Sequence, residues 1–151
     1  MFNAANLPIE VHEANNPILF HRFELIPDSG GPGKHRGGCG IRKDVEILCA
    51  AATVSLLGDR HRFAPYGLFG GQPGTRGQTL LIRDGRSIEL GSKERRTLER
   101  HDIVSMRLAG AGGYGPPQER DGDLIRRDIA SGLVSVEAAR AAYDIPCESS
   151  E

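Results

Sequence analysis

The 151-residue chain predicts a mainly β fold, an antiparallel sandwich or barrel-like arrangement of about seven short strands, closed by a C-terminal helical pair. Three observations carry that prediction. Strand-like apolar runs alternate with glycine clusters at residues 30–40, 67–77 and 110–115. An Asp-Gly turn sits between two runs of β-type residues, and helical apolar spacing begins only after the third cluster. Leu, Ile, Val and Phe make up 36 of the 151 residues, enough for a modest core, while glycine and proline take 29. One domain over 1–151 is expected, with a β-rich core over 8–108 and a helical hairpin over 116–145.

The elements follow in order. Residues 8–13 and 18–26 alternate weakly and are expected to be strands. In "IRKDVEILC", residues 41–49, Ile41, Val45, Ile47 and Cys49 fall on one side and Arg42, Asp44 and Glu46 on the other, the pattern of a strand with one wet face. A further strand is expected at 53–58. "TLLIRDGRSIEL" predicts a hairpin of strands 79–83 and 87–91, because Asp84-Gly85 accepts positive φ at both turn positions. Residues 102–108 supply the last strand. Beyond them, Leu124, Ile125 and Ile129 have helical spacing and Gly132 marks a stop. Ser135 then caps a second helix whose Val136, Ala139 and Tyr143 share a face.

Charge excludes some functions. Nineteen Lys and Arg face 20 Asp and Glu, so no basic surface is expected to drive nucleic-acid binding. The helical pair offers only Arg140 as a cation in its second helix, too little for groove docking. No apolar run approaches the length of a membrane span, and no signal peptide is recognisable. Cys39, Cys49 and Cys147 are odd in number and irregular in spacing, which suits a reducing cytoplasm. With His12, His21, His35, His61 and His101 they form no metal-ligand signature, so no metal is assigned to this chain.

The stretch "PDSGGPGKHRGGCG", residues 27–40, invites comparison with a phosphate loop. Gly33-Lys34 fits, but Asp28 stands where the first glycine belongs and His35 replaces the magnesium-binding hydroxyl. The clusters "GLFGGQPGTRG" and "GAGGYG" lack the strand-then-helix setting of a dinucleotide site. No nucleophile elbow or zinc-protease motif occurs. The polar residues placed at loop ends are Asp28, Ser29, Lys34, Arg36, Asp59, Arg60, Ser92, Lys93 and Tyr114, candidates for a ligand or interface loop. Each also has a structural reading: Asp28 and Ser29 as turn formers, Asp59 and Arg60 as a mutual pair, Tyr114 as rim cover. The glycines themselves are expected to allow tight turns and close approach of the main chain to a neighbour, with anion contact secondary.

Taken together, "LPIEVHEANNPILFHRFELIPDSGGPGKHRGGCGIRKDVEIL", "SLLGDRHRFAPYGLFGGQPG" and "SKERRTLERHDIVSMRLAGAGGYGPPQERDGDLIRRDIASGLVSVEAARAAY" resemble the carboxy-terminal segment of the hydantoinase B family. That family includes B-type subunits of N-methylhydantoin hydrolases, the corresponding half of 5-oxoprolinases, and subunits of acetone and acetophenone carboxylases. The resemblance runs from Pro8 to Ile145. It departs at "MFNAANLPIEV", where the family more often has N-T-P-x-E, at Ala111 within the glycine run, and at Leu108 and Ala109.

The resemblance implies an ATP-dependent hetero-oligomer in the cytoplasm. An A-type subunit would phosphorylate a carbonyl oxygen or bicarbonate, and a B-type subunit would help complete hydrolysis or carboxylation. ATP and a divalent metal are expected in these larger A-type and B-type partners, with no cofactor bound by this chain. The leading expectation is a small accessory subunit of a ketone carboxylase, of the acetophenone or acetone kind. The alternatives are a part of a hydantoin or 5-oxoproline hydrolase and a non-catalytic structural or binding module.

Overall fold

The computed structural model describes residues 7–143. Cys147 and the end of the expected 116–145 hairpin lie outside them. A short helix, α1 (Ile9–Asn15), precedes seven strands: β1 (Ile18–Leu25), β2 (Ile41–Ile47), β3 (Ala51–Leu57), β4 (Gln78–Arg83), β5 (Arg86–Leu90), β6 (Lys93–Glu99) and β7 (Ile103–Arg107). Two helices follow, α2 (Gly122–Ala130) and α3 (Val136–Tyr143).

Five strands form one antiparallel sheet in the order β1-β2-β7-β4-β5, and β3 pairs with β6 in a separate two-stranded ribbon. The alternation read in β2 is what joins the two layers. Val45 lies opposite Val104, which lies opposite Leu81, so one face of the sheet is apolar. Ile47, Leu81, Leu90 and Val104 on that face meet Leu98 of β6, with Ala52, Val54 and Leu56 of β3 packed around them. The architecture is therefore an open, unequal sandwich.

The β4–β5 hairpin is as expected. Asp84 and Gly85 have φ of 50° and 72°, and Arg83 pairs with Arg86 across a two-residue turn. Two strand expectations need correction. Residues 8–13 belong to α1, because Pro8 presets the entry at φ −54°, Glu10 lies in the first turn, and the side chains of Asn15 and Asn16 donate to the Val11 and His12 carbonyls. No residue of α1 is buried, so Ile9 and Val11 imitate a strand without the burial that would select one. Conversely, "KERRTLE" is strand β6. Its charges mask an alternation in which Leu98 alone is buried. The wet face of β2 also needs correction, since Asp44 is buried, held by Arg42 Nε and Nη2 at 3.0 and 2.7 Å.

The helical pair has its own small core of Ile125, Val134, Ala139 and Tyr143. Asp121 caps α2 by accepting from Asp123 N at 2.7 Å, Gly132 follows at φ 66°, and Ser135 Oγ accepts from Ala138 N at 3.1 Å. Val136, expected on the buried face, is exposed because it opens α3 ahead of the turn that docks.

Candidate functional site

The three glycine clusters, far apart in sequence, converge on one another. Gly31 N donates to Ala111 O at 2.8 Å, Gly113 N to Gln72 O at 2.9 Å, and Gln72 N to Pro32 O at 2.8 Å, linking all three loops in a web of extended backbone. The strands of this web touch main chain to main chain. A Cβ built on Gly110 would stand 1.8 Å from Ser29 O, and one on Gly37 would stand 2.0 Å from Ala111 O. Only glycine permits that approach. The neighbour that these glycines approach is thus the chain's own backbone.

The same bonds take up several of the groups that an anion would need. The N–H groups of Gly31, Lys34, His35, Gly37, Gly113 and Gly115 all donate to carbonyls within the web, so none of these six is turned outward as a cradle for an anion. Lys34 Nζ is paired with Glu119 at 3.0 Å. Among the described residues, no group of three His, Cys, Asp or Glu is arranged to hold a metal.

The nine sequence candidates separate into two groups. Asp28, Ser29, Lys34, Arg36 and Tyr114 are brought together by the web. Asp28, at φ 59°, accepts from Ser135 N at 2.7 Å and so ties the first loop to the start of α3. Ser29 is buried; its hydroxyl donates to Ile26 O at 2.5 Å and accepts from Gly40 N at 2.7 Å, closing the turn. Arg36 donates to Asp128 of α2 through Nε and Nη2 at 2.9 and 3.2 Å. Tyr114 pairs through its backbone with His35 and Leu68, and its ring lies 5.2 Å from that of Phe69.

The second group does not join the first. Lys93 Nζ lies 3.6 Å from Asp59, so Asp59 pairs across the ribbon rather than with Arg60 as expected. Arg60 and Ser92 contribute main-chain carbonyls, to Gly77 N and Gly58 N. Beside them runs a polar groove of about 330 Å³ lined by His61, Arg76, Gly77, Gln78 and Glu89. His61 Nδ1 lies 3.2 Å from Gly58 O, which can only accept, and Nε2 lies 2.9 Å from Thr79 Oγ1. Both ring nitrogens are therefore engaged in structure.

Two charge clusters extend beyond the sequence candidates, of which only Arg36 belongs to either. Burial pushes the Asp128 carboxyl upward, but hydrogen bonds and charge from Arg36, then Arg120, outweigh it and hold the group below the usual carboxylate range. Arg120 Nη2 reaches Asp128 at 2.6 Å, so one buried carboxylate binds two guanidinium groups. On the large sheet, Glu46 receives His21 Nε2 and His101 Nδ1, each at 2.7 Å, one on each oxygen. Hydrogen bonds from His101 and then His21 lower its pKa. The only available sequence signal for either cluster is the residue type, because the partners lie on different elements.

Comparison with known proteins supplies the family. The family model described as Hydantoinase B/oxoprolinase matches residues 1–117. The chain is 40% identical over 116 residues to 5-oxoprolinase 1 of Arabidopsis thaliana, covering 76% of this chain and 9% of that protein. Caprolactamase subunit beta of Pseudomonas jessenii is 34% identical over 142 residues, 91% of this chain and 24% of the relative. The crystal structure of the ATP-dependent caprolactamase from the same organism superimposes on 95% of this chain and 26% of its own, with a TM-score of 0.82 at 30% identity. Nucleotide-free acetone carboxylase shares the fold over 92% of this chain and 23% of its own, with a TM-score of 0.78 at 19% identity. The chain thus spans about a quarter of the length of the prokaryotic relatives it matches. Family match, sequence identity and shared fold lead to one conclusion: the chain belongs to the hydantoinase B/oxoprolinase family.

Proposed function

We propose that this chain is a structural module of an ATP-dependent enzyme that opens a cyclic amide, working within an assembly of A-type and B-type hydantoinase-like parts. The observation that carries this reading is that the two carboxylates at the centre of its charge clusters are already occupied by the chain's own cations and imidazoles. Asp128 is held by Arg36 and Arg120, Glu46 receives His21 and His101 on its two oxygens, and the N–H groups of Gly31, Gly37, Gly113 and Gly115 close on internal carbonyls. A carboxylate with both oxygens engaged inside the chain is poorly placed to receive a substrate. The module's contribution is rigidity, a fixed body against which a neighbouring part can hold its reacting groups.

The reaction class comes from the relatives. At sequence level, the named relatives are a 5-oxoprolinase and a caprolactamase subunit, both of which are named for cyclic amides. Phosphorylation of an amide oxygen converts it into a leaving group, and that step would fall to another part of the assembly. Ketone carboxylation, with a role as small accessory subunit, is the second reading. Its support is the fold of acetone carboxylase.

One experiment separates the two. The assembly that contains this chain is supplied with ATP and either a five-membered cyclic amide or a ketone with labelled bicarbonate. ATP turnover that depends on the cyclic amide, with the ring-opened acid as product, is expected. Label fixed into a ketone-derived acid would instead establish the carboxylase.

A further inference from the structure

The junction of the second and third glycine clusters carries a feature that internal stability does not explain. Phe69 has φ 49°, a left-handed conformation that a bulky side chain rarely adopts, and yet the residue is 75% exposed. Leu68 and Tyr114, joined by a parallel bridge, are each 49% exposed. His35 stands 6.0 Å from the Tyr114 ring on the other side, and the Lys34–Glu119 pair lies close by in sequence and fold. Backbone strain is thus tolerated in order to hold an aromatic group outward, on a base that the glycine web makes rigid.

We propose that Leu68, Phe69 and Tyr114 form the anchor of an interface, and that its occupant is the remainder of a hydantoinase B-type polypeptide, continuous with this chain or separate. The inference rests on the reading that the module works within a larger B-type body. The fold occupies 24% and 26% of the chains of its caprolactamase relatives, so in them a much larger mass is attached to this same body and must cover some of its faces. Among the described residues, this patch combines clustered aromatic groups, a strained backbone and a charged rim, the composition of an interface hot spot. The N–H groups of Leu68, Gly71, Tyr114 and Gly115 are taken up internally, which leaves this backbone no continuous edge for a strand, so the occupant contributes an aliphatic or aromatic side chain.

Hydroxyl-radical footprinting tests this on the tagged full chain, alone and within the assembly recovered from its own cells, with companions identified by mass spectrometry. Protection of Phe69 and Tyr114 in the presence of a B-type body is expected. Phe69→Gly should weaken the association at least about tenfold, while leaving the melting temperature of the free chain unchanged or raised, since glycine relieves the left-handed strain. Phe69→Asn, which also tolerates that conformation, serves if the glycine variant is poorly behaved. A B-type body that binds while Phe69 stays reactive overturns the interface and leaves the proposed function standing. Protection by a second copy of this chain overturns the occupant. A chain recovered with no B-type body, attached or separate, overturns both.

Discussion

Arg36 and Asp128 stand 92 positions apart and meet through a two-pronged hydrogen bond at 2.9 and 3.2 Å, which fastens the first glycine loop to helix α2. Both side chains are almost withdrawn from solvent, at 13% and 11% exposure. Arg36→Met should lower unfolding stability by about 3 kcal/mol, because Asp128 would remain buried with only Arg120 to neutralise it. Urea denaturation measures the loss. Arg36→Lys should recover only part of it, since an ammonium cannot reproduce the fork.

The glycine web gives a controlled pair of substitutions. Gly110→Ala places a methyl group against Ser29 O and should cost about 3 kcal/mol or more, or prevent folding. Gly38→Ala has open space around its Cβ and should change stability by no more than about 0.5 kcal/mol. Equal effects in thermal melts would mean that the loops do not pack backbone to backbone.

Acid stability should follow Asp102. Hydrogen bonds from Arg83 Nε and Nη2, at 2.8 and 2.6 Å, hold its carboxyl below the usual range against the opposing effect of burial. A carboxylate whose pKa is lower in the folded state contributes stability above its unfolded value of about 4. That contribution disappears as pH falls through the folded value. The wild-type melting temperature should therefore drop below about pH 4, and Asp102→Asn should be less stable at pH 7 with a shallower acid limb.

Much of the fold was legible locally. Asp84-Gly85 specified its hairpin, Ser135 its helix cap, and the alternation in β2 its buried face, because each depends on neighbours in sequence. Failures arose where local pattern and burial disagree. Ile9 and Val11 alternate without being buried, and β6 is buried at Leu98 behind a screen of charge. The site was less legible. Asp28, Ser29, Arg36 and Tyr114 were recognisable as loop residues, but their partners Ser135, Gly40, Asp128 and Phe69 lie on other elements, and no spacing announces them.

The bridge from His21 and His101 to Glu46 gives a dynamic prediction. His21 lies on edge strand β1, and the pairing of β1 with β2 is irregular between Phe20 and Arg22, next to this contact. Glu46→Gln should therefore speed hydrogen exchange of β1 amides relative to those of β4, which lies inside the sheet. Unchanged exchange in β1 would show that the ladder alone secures the edge.

The proposed role is structural support of an ATP-driven amide opening that another part of the assembly performs. Its most direct test is the rate of ATP hydrolysis in the presence of a cyclic amide, measured for the full chain alone, for the remaining parts of the assembly, and for the two combined. Turnover is expected only in the combination. Turnover by this chain alone, or undiminished turnover without it, would contradict the account.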